Sequence, residues 1–165
     1  MNISKTLMSA VLLSMNIATA YALPADSLYQ LTITEAGSLS PIYRAESQVP
    51  FKASYDQLSE SQKKLVRKKF DKLGVNDTPP YPVKGSANLY RPLFKAGARQ
   101  DLSGKLLITA TIDRHGIVSN VEVKQSPSAY FALSAIKLVS NTPFKAASCD
   151  GTTCEMDFPI EIQFN

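Results

Sequence analysis

The residues that most constrain this chain lie at its C-terminal end. Met156, Phe158, Ile160, Ile162 and Phe164 alternate with Glu155, Asp157, Pro159, Glu161 and Gln163. A period of two over ten residues specifies a β-strand with one apolar and one polar face. A strand of that kind needs a sheet to pair with and a layer of apolar side chains to cover it. Both are legible upstream. Leu106, Ile108, Ala110 and Ile112 alternate with Lys105, Leu107, Thr109 and Thr111, a second one-faced strand. Asp113-Arg114-His115-Gly116 reads as a turn, and Ile117, Val121 and Val123 continue the alternation on its far side, with Glu122 and Lys124 facing out. The two segments are therefore expected to form a hairpin.

Helical periodicity supplies the covering layer. Leu89 to Ala98 has helical character, with Pro92 in a first turn or at a kink. Ser126-Pro127 opens a second helix as N-cap and first-turn proline, and Phe131, Ala135, Leu138 and Val139 fall on one face of it. Asn141 and Pro143 end that helix. The fold class is thus α+β, preceded by a smaller N-terminal strand and helix region. Tyr29, Leu31 and Ile33 mark one strand there, and Val49 to Ala53 a second, shorter one. Ser59 to Leu73 reads as a helix with a Ser59/Gln62 capping box and Gly74 beyond its end. Pro79-Pro80-Tyr81-Pro82 makes a stiff, extended connection.

The N-terminus reads as an export signal. Lys5 gives a positive start, Leu7 to Ile17 is largely apolar, and Ala20-Tyr21-Ala22 is a small-x-small cleavage pattern. Cleavage after Ala22 is expected. Retention of residues 1–23 as a membrane anchor is the alternative, because Thr6 to Leu23 is uncharged and close to the minimum spanning length. The organisation expected is a signal over 1–22, a strand and basic-helix region over 23–80, and a C-terminal domain over 81–165. Export places Cys149 and Cys154, the only cysteines, in an oxidising compartment, where C-x4-C around Asp150-Gly151 reads as a structural disulfide.

Charge and motifs remove several classes of function. The formal net charge of +4 is too mild to mark a nucleic-acid binder. A single His rules out a multi-His metal site within one chain, so no metal or cofactor is expected. G-x-S-x-G, H-E-x-x-H and G-x-G-x-x-G are all absent, and no nucleophile, base and orienting group can be assembled. His115 is expected to be an exposed turn residue. An enzyme is not expected. The sharpest charge feature is Lys63, Lys64, Arg67, Lys68 and Lys72 on one side of the first helix. The favoured reading is a solvated face, and the alternative is a dock for an anionic envelope surface.

From Tyr81 to Phe164 the order of elements resembles the C-terminal domain of TonB-family energy transducers. The residues that carry the resemblance are Tyr90-Arg91-Pro92, Gly104 entering an alternating strand, and the Asp113 to Gly116 turn. Val118, Val121 and Val123, Ser126, Phe144-Lys145 and the closing apolar-alternating strand complete it. The resemblance implies a three-stranded antiparallel sheet with two helices on one face. It also implies a non-catalytic periplasmic module that binds a short extended segment of a protein partner, such as an outer-membrane receptor, partly by strand addition. On that reading the last strand is the contact edge, with Asp157, Pro159, Glu161 and Gln163 facing the partner. If residues 1–23 are retained, the resemblance implies an anchored energy transducer instead.

Overall fold

The computed structural model describes residues 29–34 and 42–164. The elements in chain order are β1 (Tyr29–Thr34), β2 (Ile42–Ser47), α1 (Glu60–Arg67), β3 (Tyr81–Pro82), α2 (Ala87–Arg99), β4 (Gly104–Ile112) and β5 (Val118–Gln125). There follow α3 (Ala129–Ser140), β6 (Phe144–Lys145), β7 (Ala147–Cys149), β8 (Thr152–Cys154) and β9 (Met156–Phe164).

The central unit is the antiparallel trio β9–β4–β5. β4 and β9 pair without interruption from Gly104↔Phe164 to Ile112↔Met156. Their inward residues, Leu106, Ile108, Ala110, Ile112, Phe158, Ile160, Ile162 and Phe164, are all buried, as the alternation requires. α2 and α3 lie on that one apolar face. Phe131 of α3 meets the Phe164 ring edge-on at 5.4 Å, and Gly97 of α2 backs directly onto the same ring. The expected α+β arrangement of two helices on one face of a three-stranded antiparallel sheet is therefore present. The sheet is larger than expected, however. A β1–β2 hairpin extends it to five strands in the order β2–β1–β9–β4–β5.

Several local expectations shift. The strand expected at Val49 to Ala53 is a turn segment, and the second strand is β2, ahead of it. Ile117 is exposed at 62%, while Val118 turns inward. The reason is a bulge. Thr111 pairs with Asn120 but Ile112 with Val118, so one extra residue reverses the parity of the β5 alternation. The N-cap of α3 is Ser128, whose side chain accepts from the Phe131 N–H at 3.0 Å, rather than Ser126. Pro92 sits inside α2, beyond its first turn; the carbonyl it leaves unpaired, that of Asn88, is on an exposed side.

α1 is capped as expected, with Ser59 accepting from the Gln62 N–H and the Gln62 side chain from the Ser59 N–H. It ends at Arg67, six residues before Leu73. Two short turns, Lys69 N–H to the Val66 carbonyl and Phe70 N–H to the Arg67 carbonyl, swing Phe70 toward Phe158. The Pro79 to Pro82 run is buried, and one apolar core joins Tyr29, Val49, Tyr55, Leu58 and Val66 to the C-terminal elements. The export signal and its cleavage site lie outside the described residues. Among the described residues no helix is long and apolar enough to cross a membrane.

Candidate partner-binding edge

β9 carries the residues expected to meet a partner. It is not the outer strand of the sheet, because β4 flanks it on one side and β1 on the other. The contact with β1 is short. It is parallel and has a single paired position, Gln30↔Gln163, near the end of β9. From Glu161 back to Met156, the side of β9 away from β4 borders the segment that follows α1.

The polar face of β9 is engaged within the chain. The Thr111 hydroxyl donates to Asp157 Oδ1 at 2.8 Å. Glu161 lies between two ammonium groups, Lys105 Nζ at 2.6 Å and Lys69 Nζ at 3.8 Å. Gln163 Nε2 donates to the carbonyls of Gly104 and Phe164 at 3.3 and 3.0 Å. Pro159 stands opposite Thr109 and lines two adjoining hollows. One is an open cleft over the polar face, bounded by Phe70, Lys72, Leu73, Lys124 and Asp157. The other is a small apolar pocket walled by Val66, Phe70, Tyr81, Tyr90 and Phe158, with Lys69 and Glu161 among its lining residues.

Tyr29, the first residue of β1, also lines that pocket. Its ring stacks on Tyr90 with centroids 3.7 Å apart and lies 5.5 Å from Phe51. Burial, reinforced by the neighbouring phenols of Tyr90 and Tyr81, holds the Tyr29 phenol well above its ordinary pKa; burial does the same to Tyr81 and Tyr90. All three stay neutral at physiological pH, so the phenols bring no charge to a pocket whose charged lining residues are Lys69 and Glu161. Sequence reading places Tyr29 at the head of an alternating strand and nothing more. That Phe51, Tyr81 and Tyr90 converge on it is tertiary information.

The basic residues do not form one helical stripe. Lys63 is paired with Glu60 at 2.8 Å. The Arg67 guanidinium is turned onto backbone, donating to the carbonyls of Asp77, Gly74 and Val75. Lys68 is the C-cap of α1, and Lys72 lies past its end, on the rim of the cleft. Lys64 and Lys68 are exposed.

Cys149 and Cys154 are joined, with Cα atoms 5.8 Å apart, across the β7–β8 hairpin. Asp150 and Gly151 form its turn with φ of 48° and 83°, the two left-handed positions of a type I′ connection. His115 is exposed in the β4–β5 turn. Asp113 organises that turn, accepting from the N–H groups of His115 and Ile117 at 2.8 and 2.9 Å, and these bonds lower its pKa. Among the described residues no group of three or more His, Cys, Asp or Glu is placed to hold a metal ion.

Comparison with curated proteins and with solved structures gives no match. Comparison with family models gives one. Residues 95–165 match the Gram-negative bacterial TonB protein C-terminal family. The match begins inside α2 and takes in β4, β5, α3 and β9, the trio of strands and most of the layer that covers it. Over residues 95–165 the chain is similar to the C-terminal domain of Gram-negative bacterial TonB proteins.

Proposed function

We propose that this chain is an exported, periplasmic, non-catalytic protein-binding module of envelope transport, which receives an extended segment of a partner alongside β9. The observation that carries this reading is the incomplete cover of β9. Its apolar face is packed and one side is zipped to β4, while among the described residues no strand pairs with the other side from Met156 to Glu161, which borders a small pocket. An extended segment laid there would gain backbone hydrogen bonds from β9 and side-chain contacts from the pocket and the cleft. Asp157, Pro159, Glu161 and Gln163 then flank the added segment, and Lys72 and Lys124 border the cleft beside it.

The test is photocrosslinking from the full chain in Gram-negative cells. A crosslinking residue at Pro159 is expected to capture an outer-membrane protein, and the same residue at exposed Leu133 on α3 is not. Equal products from both positions, or none from Pro159, would refute the reading. N-terminal sequencing of the same material is expected to begin at Leu23. A membrane-bound species that keeps Met1 would replace the free module with an anchored transducer.

A further inference from the structure

We infer that the outward face of α2 and α3 docks on an anionic phospholipid surface. The inference is independent of the strand-acceptor reading above, since it uses the side of the molecule away from the polar face of β9.

The apolar sides of both helices are committed to the sheet. On α2, burial of Leu89, Tyr90, Leu93, Phe94 and Gly97 turns Arg91, Lys95 and Arg99 outward. Residues four apart stand one above the next on a helix, so these cations form a stripe about 12 Å long. On α3, burial of Phe131, Ala135 and Val139 turns Tyr130, Leu133 and Lys137 outward. Tyr130 is 73% exposed and Leu133 68%. Gly97 and Phe131 both reach the Phe164 ring, so the last turns of α2 lie at the level of the first turns of α3. Neither helix contains an acidic residue, and the nearest acid to α2 along the chain is Asp101, past its end. Like charges four apart repel, and among the described residues none of these four cations has an ion pair to relieve it. The basic run near α1 differs, because there Lys63 is held by Glu60 and Arg67 by backbone carbonyls.

A phospholipid leaflet answers all parts of this face. Its phosphates neutralise the stripe, the amphipathic Tyr130 ring suits the headgroup level, and Leu133 gains cover at the acyl boundary. Docking through the helical layer leaves the polar face of the sheet, with the cleft beside Pro159, turned away from the lipid.

Co-sedimentation of the full chain with vesicles tests this. Binding is expected to phosphatidylcholine vesicles carrying about one-quarter phosphatidylglycerol, not to phosphatidylcholine alone, and release is expected at about 0.5 M salt. Arg91→Gln, Lys95→Gln and Arg99→Gln combined should weaken binding roughly hundredfold, each cation being about a fivefold effect. Lys52→Gln, Lys64→Gln and Lys68→Gln combined remove the same charge from exposed sites elsewhere and should weaken it by less than about tenfold. Equal losses in the two triple variants would reduce the effect to net charge and overturn the inference. The chain has no tryptophan, so Tyr130→Trp supplies a single reporter. Its emission is expected to shift to the blue on anionic vesicles and to be quenched by lipids brominated on the acyl chain. Unchanged emission from vesicle-bound protein would mean that another face docks, and would overturn the inference. Binding to polyglutamate without binding to anionic vesicles would assign the face to an acidic protein and overturn it equally.

Discussion

Replacing Gly97 with alanine sets two known effects against each other, and the structure decides the sign. Gly97 lies in the last turns of α2, where glycine costs about 1 kcal/mol relative to alanine, so propensity alone predicts a gain of that size. The packing predicts the reverse. A Cβ built on Gly97 would stand 2.3, 2.7 and 3.0 Å from Cε1, Cδ1 and Cζ of Phe164. Carbon contacts favour roughly 3.5–4.0 Å, so the ring or the helix must give by about 1 Å. The ring has little room, being 1% exposed and set edge-on against Phe131. Overpacking of this kind costs about 1–3 kcal/mol. With the upper part of that range set against the propensity gain, the net loss is about 1–2 kcal/mol, a fall in Tm of roughly 3–6 °C. The assay is thermal and denaturant unfolding of Gly97→Ala, Phe164→Leu and the double variant. Phe164→Leu is expected to destabilise alone but to abolish the alanine penalty, a coupling of about 1 kcal/mol or more. A rise in Tm for Gly97→Ala would refute the close helix–sheet approach on which the argument rests.

Replacing both Cys149 and Cys154 with serine is expected to cost about 2 kcal/mol by the chain-entropy relation for so short a loop. Denaturant unfolding checks the cost, and crosslinking from Pro159 should survive it. Arg67→Ala is expected to lose about 1–2 kcal/mol as the carbonyls of Gly74, Val75 and Asp77 lose their shared donor. Arg67→Lys should recover little in the same unfolding assay, because one ammonium cannot replace the planar fork. The Asp113 carboxyl has a lowered folded pKa, so its contribution to stability is present above the unfolded carboxylate value and is lost as pH falls through the folded one. Asp113→Asn should therefore lower Tm at neutral pH, and the gap from the unaltered chain should narrow in acid below about pH 4.

Alternation made β4 and β9 legible, because period-two burial is written locally, residue by residue. The face of α3 was legible in the same local way, from its helical spacing. The exceptions have physical causes that no local pattern carries. The β5 bulge changes parity through the register of β4 against β5, a relation between residues on different strands. α1 stops early because Phe70 is claimed by Phe158 and Arg67 by carbonyls further along the chain. The basic run looked like a helical stripe only while the helix was taken to reach Leu73. The candidate strand was legible as a strand, but not its neighbours, since strand order depends on where β1 docks. Tyr29 stood at the head of a visible alternation, and its pocket is assembled from the turn after β2, β3 and α2.

Pro159 bears most directly on which side of β9 is open. Proline lacks the N–H, so it removes one donor from whichever side its backbone nitrogen faces. The β4–β9 register runs unbroken through Thr109↔Pro159, with no bulge on either strand at that ladder. A missing donor on the β4 side would weaken a central pairing flanked by buried Ile108, Ala110, Phe158 and Ile160. A missing donor on the other side would face the pocket under Val66 and Phe70, where no strand pairs among the described residues. The second placement is the less costly, and it leaves β9 a weakened acceptor four residues before Gln163, its paired position with β1. Pro159→Val should then leave unfolding within about 0.5 kcal/mol of the unaltered chain, since it restores no native pairing. It should strengthen pairing with an added strand, read as self-association by sedimentation. A clear gain in stability without any change in association would place the nitrogen toward β4, and the open row would then belong to Phe158, Ile160 and Ile162.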